Sequence, residues 1–193
     1  MTKEINIIDP GSRAQWRIWL EKNHEKTGIT IWVKIAKKNT EKRGLPYDAA
    51  VEEALCFGWI DSTTRSFDES HFIQSFTIRK PKSPWSPINK ERVKRLIKDG
   101  LMTPAGNNCI KTAKANGYWT IMDEVEHLKV PADLQAAFRK NRKAEKFFEA
   151  MSKSDKKLTL KWLVLAQKQE TRNKRIITII ENGNEGQKPK QLQ

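Results

Sequence analysis

The chain has 193 residues, with 37 Lys and Arg against 23 Asp and Glu and a formal net charge of +14. That length supports one domain of ordinary size with an appendage, or two small ones, and in either case a buried core. Only 37% of the residues are hydrophobic, but seven Trp and seven Phe concentrate apolar area in few side chains, which argues against a globally disordered chain.

Ser12 stands where a helix N-cap belongs, with Trp16, Trp19 and Leu20 at helical spacing behind it and Gly28 to close the helix. From Ile29 the period changes to two. Ile29, Ile31, Val33 and Ile35 alternate with Thr30, Trp32 and Lys34, the pattern of a strand buried on one face. Thr40 to Gly44 reads as a polar loop. Pro46, Tyr47 and Asp48 begin a second helix, with Glu52 and Glu53 expected in its first turn beside the positive end of the dipole, and Gly58 ends it. Two strand-like runs, WIDSTTRSF and HFIQSFTIRK, then flank a polar turn at Asp68-Glu69-Ser70, which predicts a hairpin. In the second run Phe72, Gln74, Phe76 and Ile78 share one face, and Ile73, Ser75, Thr77 and Arg79 the other.

Prolines at 81, 84 and 87 forbid a central strand, and Ser86-Pro87 reads as N-cap and first residue of a helix whose apolar stripe is Val93, Leu96 and Ile97, ending at Gly100. Thr103-Pro104 repeats the start signal, with Ile110 and Ala113 inside and Gly117 beyond. Pro131 opens a helix carrying Leu134, Ala137 and Phe138. Asn141 is expected to cap one with Phe147 and Phe148, and Ser154 one with Leu158, Trp162, Leu165 and Ala166; Thr171 restarts or continues it through Ile176, Ile177 and Ile180. The expected fold class is α+β. A small three-stranded antiparallel sheet packed by helices occupies residues 1–100, a helical C-terminal subdomain packed on it residues 101–182, and a disordered tail residues 183–193.

Two cysteines, Cys56 and Cys109, cannot make a disulfide framework or a four-sulfur zinc site; both fall in apolar helical patterns and are expected as reduced core thiols. No run approaches the ~18 apolar residues of a membrane span, and the opening MTKEINIIDPGSRAQW lacks the apolar stretch of a secretory signal. The expectation is a soluble, cytoplasmic protein with no membrane insertion.

Phosphate-loop, HExxH, CxxC and GxSxG signatures are missing, and His24, His71 and His127 fall in three different elements, so neither a cofactor nor a metal is expected. Chemistry can reside in three places. In GWIDS, Trp59 and Asp61 fall on one strand face, with Arg79 and Lys80 at the end of the neighbouring strand as candidate bases for the carboxylate; the plainer reading is a structural ion pair beneath an indole. In RKPKSPWS, closely spaced prolines stiffen the backbone around Trp85, while Arg79, Lys80, Lys82 and Ser86 offer donors to a carboxylate or phosphate; the alternative is a rigid connector whose tryptophan plugs the core. The third is the basic C-terminal part: residues 1–80 hold 13 Lys and Arg against 11 Asp and Glu, residues 81–193 hold 24 against 12. There Lys161, Lys168, Arg172, Lys174 and Arg175 cluster on helical turns, enough to follow a phosphate backbone but equally a solvated helix face.

The blocks LPYDAAVEEALCFGWIDS, RKPKSPWSPINKERVKRLIKDGLMTPAG and WLVLAQKQETRNKRI, in this order over roughly residues 12–181, resemble the YdeI/OmpD-associated family, whose members are often labelled bacteriocin-protection proteins. The resemblance implies an α+β unit followed by helices and a role in bacterial tolerance to antimicrobial or envelope stress. It carries no catalytic assignment. Three functions are therefore weighed. The leading one is a non-enzymatic protein binding a small acidic ligand or protein partner in a cleft among Trp59, Asp61, Arg79, Lys80, Trp85, Ser86 and Asn89. The alternatives are nucleic-acid association through the basic helices and an enzyme with Asp61 or Glu53 as general base.

Overall fold

The computed structural model describes residues 6–38, 44–189 and 192, so the loop expected at residues 40–44 lies mostly outside the described residues. Its sheet contains β1 (Ile7–Ile8), β2 (Ile31–Ala36), β3 (Trp59–Ser66) and β4 (His71–Ile78) in the order β1-β2-β4-β3. The expected antiparallel trio is present, with β4 between β2 and β3. A fourth strand corrects the expectation of three antiparallel ones: β1 pairs in parallel with β2, Ile7 opposite Trp32 and Ile8 opposite Val33. Two residues are too few to show a period of two, so this strand is set by the partner's exposed edge and not by its own pattern.

The hairpin forms where expected because Asp68 organises it. Its Oδ1 accepts the backbone N–H groups of Ser70 at 2.8 Å and His71 at 2.7 Å, beside the backbone bond from the Asp68 N–H to the His71 carbonyl at 3.2 Å. Burial in β4 does not follow the expected one-faced pattern: Ile73, Gln74, Ser75 and Phe76 are all buried. Side chains of both flanking strands crowd β4: Trp32 stands opposite Ser75 and Arg65 opposite Ile73, with the Arg65 guanidinium 4.6 Å from the Trp32 ring centroid.

Helices α1 (Arg13–Asn23) and α2 (Tyr47–Cys56) pack together and contribute to the core, with Trp16, Leu20, Val51, Leu55 and Trp59 against Val33, Ile35 and Phe76. Ser12 caps α1 as its sequence implies, its Oγ accepting the Gln15 N–H at 3.3 Å. Because α2 starts at Tyr47, Glu52 and Glu53 sit beyond its first turn, where Asp48 is the acidic residue. Their role is different from dipole compensation. Glu53 is buried and takes Arg13 Nε at 2.6 Å and Arg17 Nη1 at 2.7 Å; Glu52 takes Arg13 Nη1 at 3.0 Å and also pairs with Arg95. Arg92 pairs with Asp48 in turn, so α3 (Pro87–Lys98) is tied to α2 by charge.

The chain divides into two compact units, Met1–Trp119 and Thr120–Gln193, whereas the sequence reading divided it at residue 100. The reason lies in α4 (Pro104–Ala115), which packs against α2. Thr103 caps it and sends both its N–H (3.2 Å) and its hydroxyl (2.6 Å) to the Cys56 carbonyl at the end of α2. Gly106 permits the approach: a Cβ there would lie 2.3 Å from the same carbonyl oxygen.

The second unit holds α5 (Asp123–Glu126), α6 (Ala132–Lys140), α7 (Arg142–Ala150), α8 (Lys153–Val164) and α9 (Gln169–Asn184) around Leu134, Phe138, Phe148, Leu160, Leu163 and Ile179. Four expectations change here. Ser152, not Ser154, caps α8, its Oγ accepting the Asp155 N–H at 3.1 Å. The buried residues of α8 are Thr159, Leu160 and Leu163, while Leu158 is exposed. Asn141 precedes α7 without a side-chain cap bond; its Nδ2 donates back to the Ala137 carbonyl. Helix α9 runs past the start of the expected tail: Gly183 is buried against Ala144, and Lys188 pairs with Asp155 at 2.8 Å. Among the described residues no helix is long and apolar enough to cross a membrane.

Candidate functional site

A single residue type in an uncommon environment defines the site. Arg79 follows β4, where its backbone N–H extends the sheet ladder to the Gly58 carbonyl at 2.9 Å, and its side chain is 5% exposed. The guanidinium lies over the Trp85 ring, 3.7 Å from the centroid, and its Nη2 donates to the Pro84 carbonyl at 2.6 Å. Its Nε and Nη1, together with the buried Trp85 Nε1, have no hydrogen-bond partner among the described residues. Among the described residues no carboxylate forms an ion pair with it. Burial accordingly pushes the Arg79 pKa down to about 10, although Cys109 and Asp61 act in the opposite direction. It remains charged at neutral pH. Each unpaired buried donor costs about 1–3 kcal/mol, more on a charged group.

Two glycines bring the opposite wall into place. Gly58 has φ +74°, and a Cβ on it would sit 2.7 Å from Cys109 Sγ; Gly106 lets α4 touch the end of α2. The result lays Asn108, Cys109, Thr112 and Ala113 of α4 over Arg79, Lys80, Pro81 and Trp85, enclosing a cleft of about 150 Å³. Trp85 in turn packs on Trp119, ring centroids 5.0 Å apart, with Lys90 Nζ and Lys114 Nζ at 5.5 and 5.3 Å from the Trp119 ring. Burial raises the Cys109 pKa, against a smaller opposing effect of Arg79, which keeps the thiol protonated at neutral pH.

Of the seven residues expected to share a cleft, Arg79, Lys80 and Trp85 do. Trp59 is fully buried, edge-on to Trp19 at 5.9 Å, and its Nε1 donates to the His24 carbonyl at 3.1 Å. Asp61 accepts the Tyr47 hydroxyl at 2.8 Å, an interaction that, after burial, raises the Tyr47 pKa to about 12. Ser86 serves as N-cap of α3, accepting the Asn89 N–H at 3.3 Å, and Asn89 Oδ1 accepts from Arg92. None of these four lines the cleft. Asn108, Cys109 and Thr112 were absent from the sequence-based set, although their i, i+1, i+4 spacing places them along one side of a helix.

Glu53 and three of the five basic-helix candidates are engaged elsewhere. Both Glu53 oxygens face arginines, at 2.6 and 2.7 Å. On the basic helices Arg172 holds Asp133 through Nε at 2.6 Å and Nη2 at 3.0 Å, Lys174 meets Glu170 at 2.6 Å, and Arg175 donates to the Trp162 carbonyl. Lys161 and Lys168 are exposed. Among the described residues no group of three or more His, Cys, Asp or Glu is placed to hold a metal ion.

Comparison with known families divides the chain in a similar way. Residues 8–109, more than half of its length, match the family described as Domain of unknown function (DUF8412). The chain belongs to that family. Residues 127–186 match the family described as Bacteriocin-protection, YdeI or OmpD-Associated, the one expected from sequence. Of the three blocks that carried the resemblance, WLVLAQKQETRNKRI lies within this second match, while the other two lie within the DUF8412 match. The cleft straddles the end of the DUF8412 match: Arg79 to Cys109 lie inside it, Thr112 and Ala113 just beyond. No curated protein and no solved structure gives a match.

Proposed function

We propose that this protein is a non-enzymatic binding protein that takes a small anionic ligand in the cleft of Arg79 and Trp85, and that it serves bacterial tolerance to bacteriocins or related stress. The observation that carries the binding reading is the buried guanidinium with two nitrogens unpaired and no carboxylate partner among the described residues. A charge in that setting is costly unless a counter-ion joins it, and an incoming anion provides both the charge and the missing acceptors. Cys109, the nucleophile among the lining residues, is a protonated and therefore weak one, which favours binding over covalent chemistry. The tolerance role rests on the description of the family matched by residues 127–186.

Thermal unfolding of the purified chain, at constant ionic strength and with acetate, malonate or inorganic phosphate added, tests the binding reading. At least one anion should raise the wild-type midpoint in a dose-dependent way, by the equivalent of about 2.7 kcal/mol at a hundredfold excess over Kd. Arg79→Gln should remove the response. An equal response in both proteins, or none in the wild type, overturns the assignment.

A further inference from the structure

Resting on the anion-site reading, we infer that the ligand is a phosphomonoester, bound as its dianion, and not a monocarboxylate or a phosphodiester. Charge is the first argument. The cleft is lined by two cationic side chains, Arg79 and Lys80, and by no Asp or Glu. Residues 79–119, which supply the whole lining, hold ten Lys and Arg against two Asp and Glu. Asp61, whose charge reaches Arg79, is bonded to the Tyr47 hydroxyl and does not line the space. A monoanion matches one of the two lining cations; a phosphomonoester, carrying about −1.5 to −2 near neutral pH, matches both the buried Arg79 and the exposed Lys80.

Direction is the second argument. Residues that carry donor groups line the cleft from three separate segments: Arg79 and Lys80 just after β4, Trp85 on the proline-stiffened stretch, and Asn108 and Thr112 on α4. A planar carboxylate is best met by one arginine fork from one side. Donors arriving from several sides match a tetrahedral group with three free oxygens. Size limits the rest of the ligand. About 150 Å³ is the room of roughly five water molecules, enough for a phosphoryl group and a short carbon stub with the remainder outside.

Calorimetric titration with methyl phosphate, dimethyl phosphate and acetate at matched ionic strength tests this. Methyl phosphate should bind at least about tenfold tighter than either monoanion, since hydrogen bonds to charged groups are worth roughly ten- to a hundredfold each. Lys80→Ala should reduce that preference to about threefold or less, and Thr112→Val should weaken methyl phosphate about tenfold while leaving the unligated melting temperature unchanged. If acetate or dimethyl phosphate binds as tightly as methyl phosphate, the phosphomonoester assignment fails and the anion site stands. If none of the three binds, both fail. A preference for methyl phosphate that neither substitution alters would place its site away from this cleft and overturn the inference equally.

Discussion

Arg79 is one residue whose charge the fold buries and does not neutralise. Its contacts are an indole face and one carbonyl, and Nε and Nη1 are left without acceptors. Buried charges without partners are retained at a cost to stability, so removing this one by a side chain of similar reach should help the empty protein. Arg79→Met is expected to raise the unfolding free energy in the absence of anions by about 1–2 kcal/mol. Chemical denaturation of both proteins in an anion-poor buffer measures it; a clear loss of stability would mean that the guanidinium is a structural element in its own right. In the sequence Arg79 was visible as a candidate because it stands at a strand end beside three prolines. Which group it would meet was not visible. Asp61 lies in the neighbouring strand, but the register sets it opposite Phe76 while Arg79 pairs its N–H with the Gly58 carbonyl, and Asp61 bonds to Tyr47.

Elements were legible wherever a capping side chain and an apolar stripe coincided. Ser12, Ser86 and Thr103 all cap the helices expected of them, because each hydroxyl finds a free N–H three residues on. Asp68 closes the hairpin for the same local reason. The start of α8 was misplaced since Ser152 and Ser154 are equivalent as residues, and only the helix phase, with Leu160 and Leu163 inward, selects Ser152. Ser152→Ala is therefore expected to cost about 1 kcal/mol, while Ser154→Ala should stay within about 0.5 kcal/mol of wild type. Urea unfolding of the two variants compares them directly, and equal effects would remove Ser152 as the cap. The two-residue β1 and the four-residue α5 escaped notice because elements that short carry no period.

At the scale of the whole molecule, each compact unit carries its own buried cluster, Trp- and Ile-rich in Met1–Trp119 and Leu- and Phe-rich in Thr120–Gln193. Within the second unit the Asp133–Arg172 pair ties α6 to α9, and the hydrogen bonds from Arg172 hold the Asp133 carboxyl below its ordinary pKa. A depressed carboxylate pKa stabilises the fold above the unfolded value near pH 4 and loses that contribution as pH falls through the lower, folded value. Asp133→Asn should then destabilise the protein at pH 7 by about 0.5–1 kcal/mol, screened because the pair is partly exposed, with the deficit shrinking below pH 4. Urea midpoints of α6 and α9 amide signals at pH 7 and pH 3 test it; a deficit that does not change with pH would assign the effect to packing.

Net charge, the caps at Ser12, Ser86 and Thr103 and the proline-stiffened stretch were determined by the chain alone, since each depends on residues within a few positions of one another. Tertiary structure decided the rest. It assigned α4 to the first unit and engaged Glu53, Arg172 and Arg175 in internal contacts. It also brought Asn108 and Thr112 over a guanidinium some thirty residues earlier. The physical reason is that caps and periods are satisfied by local backbone geometry, whereas the partner of a buried charge is set by which distant surfaces the packing of glycines such as Gly58 and Gly106 allows to touch.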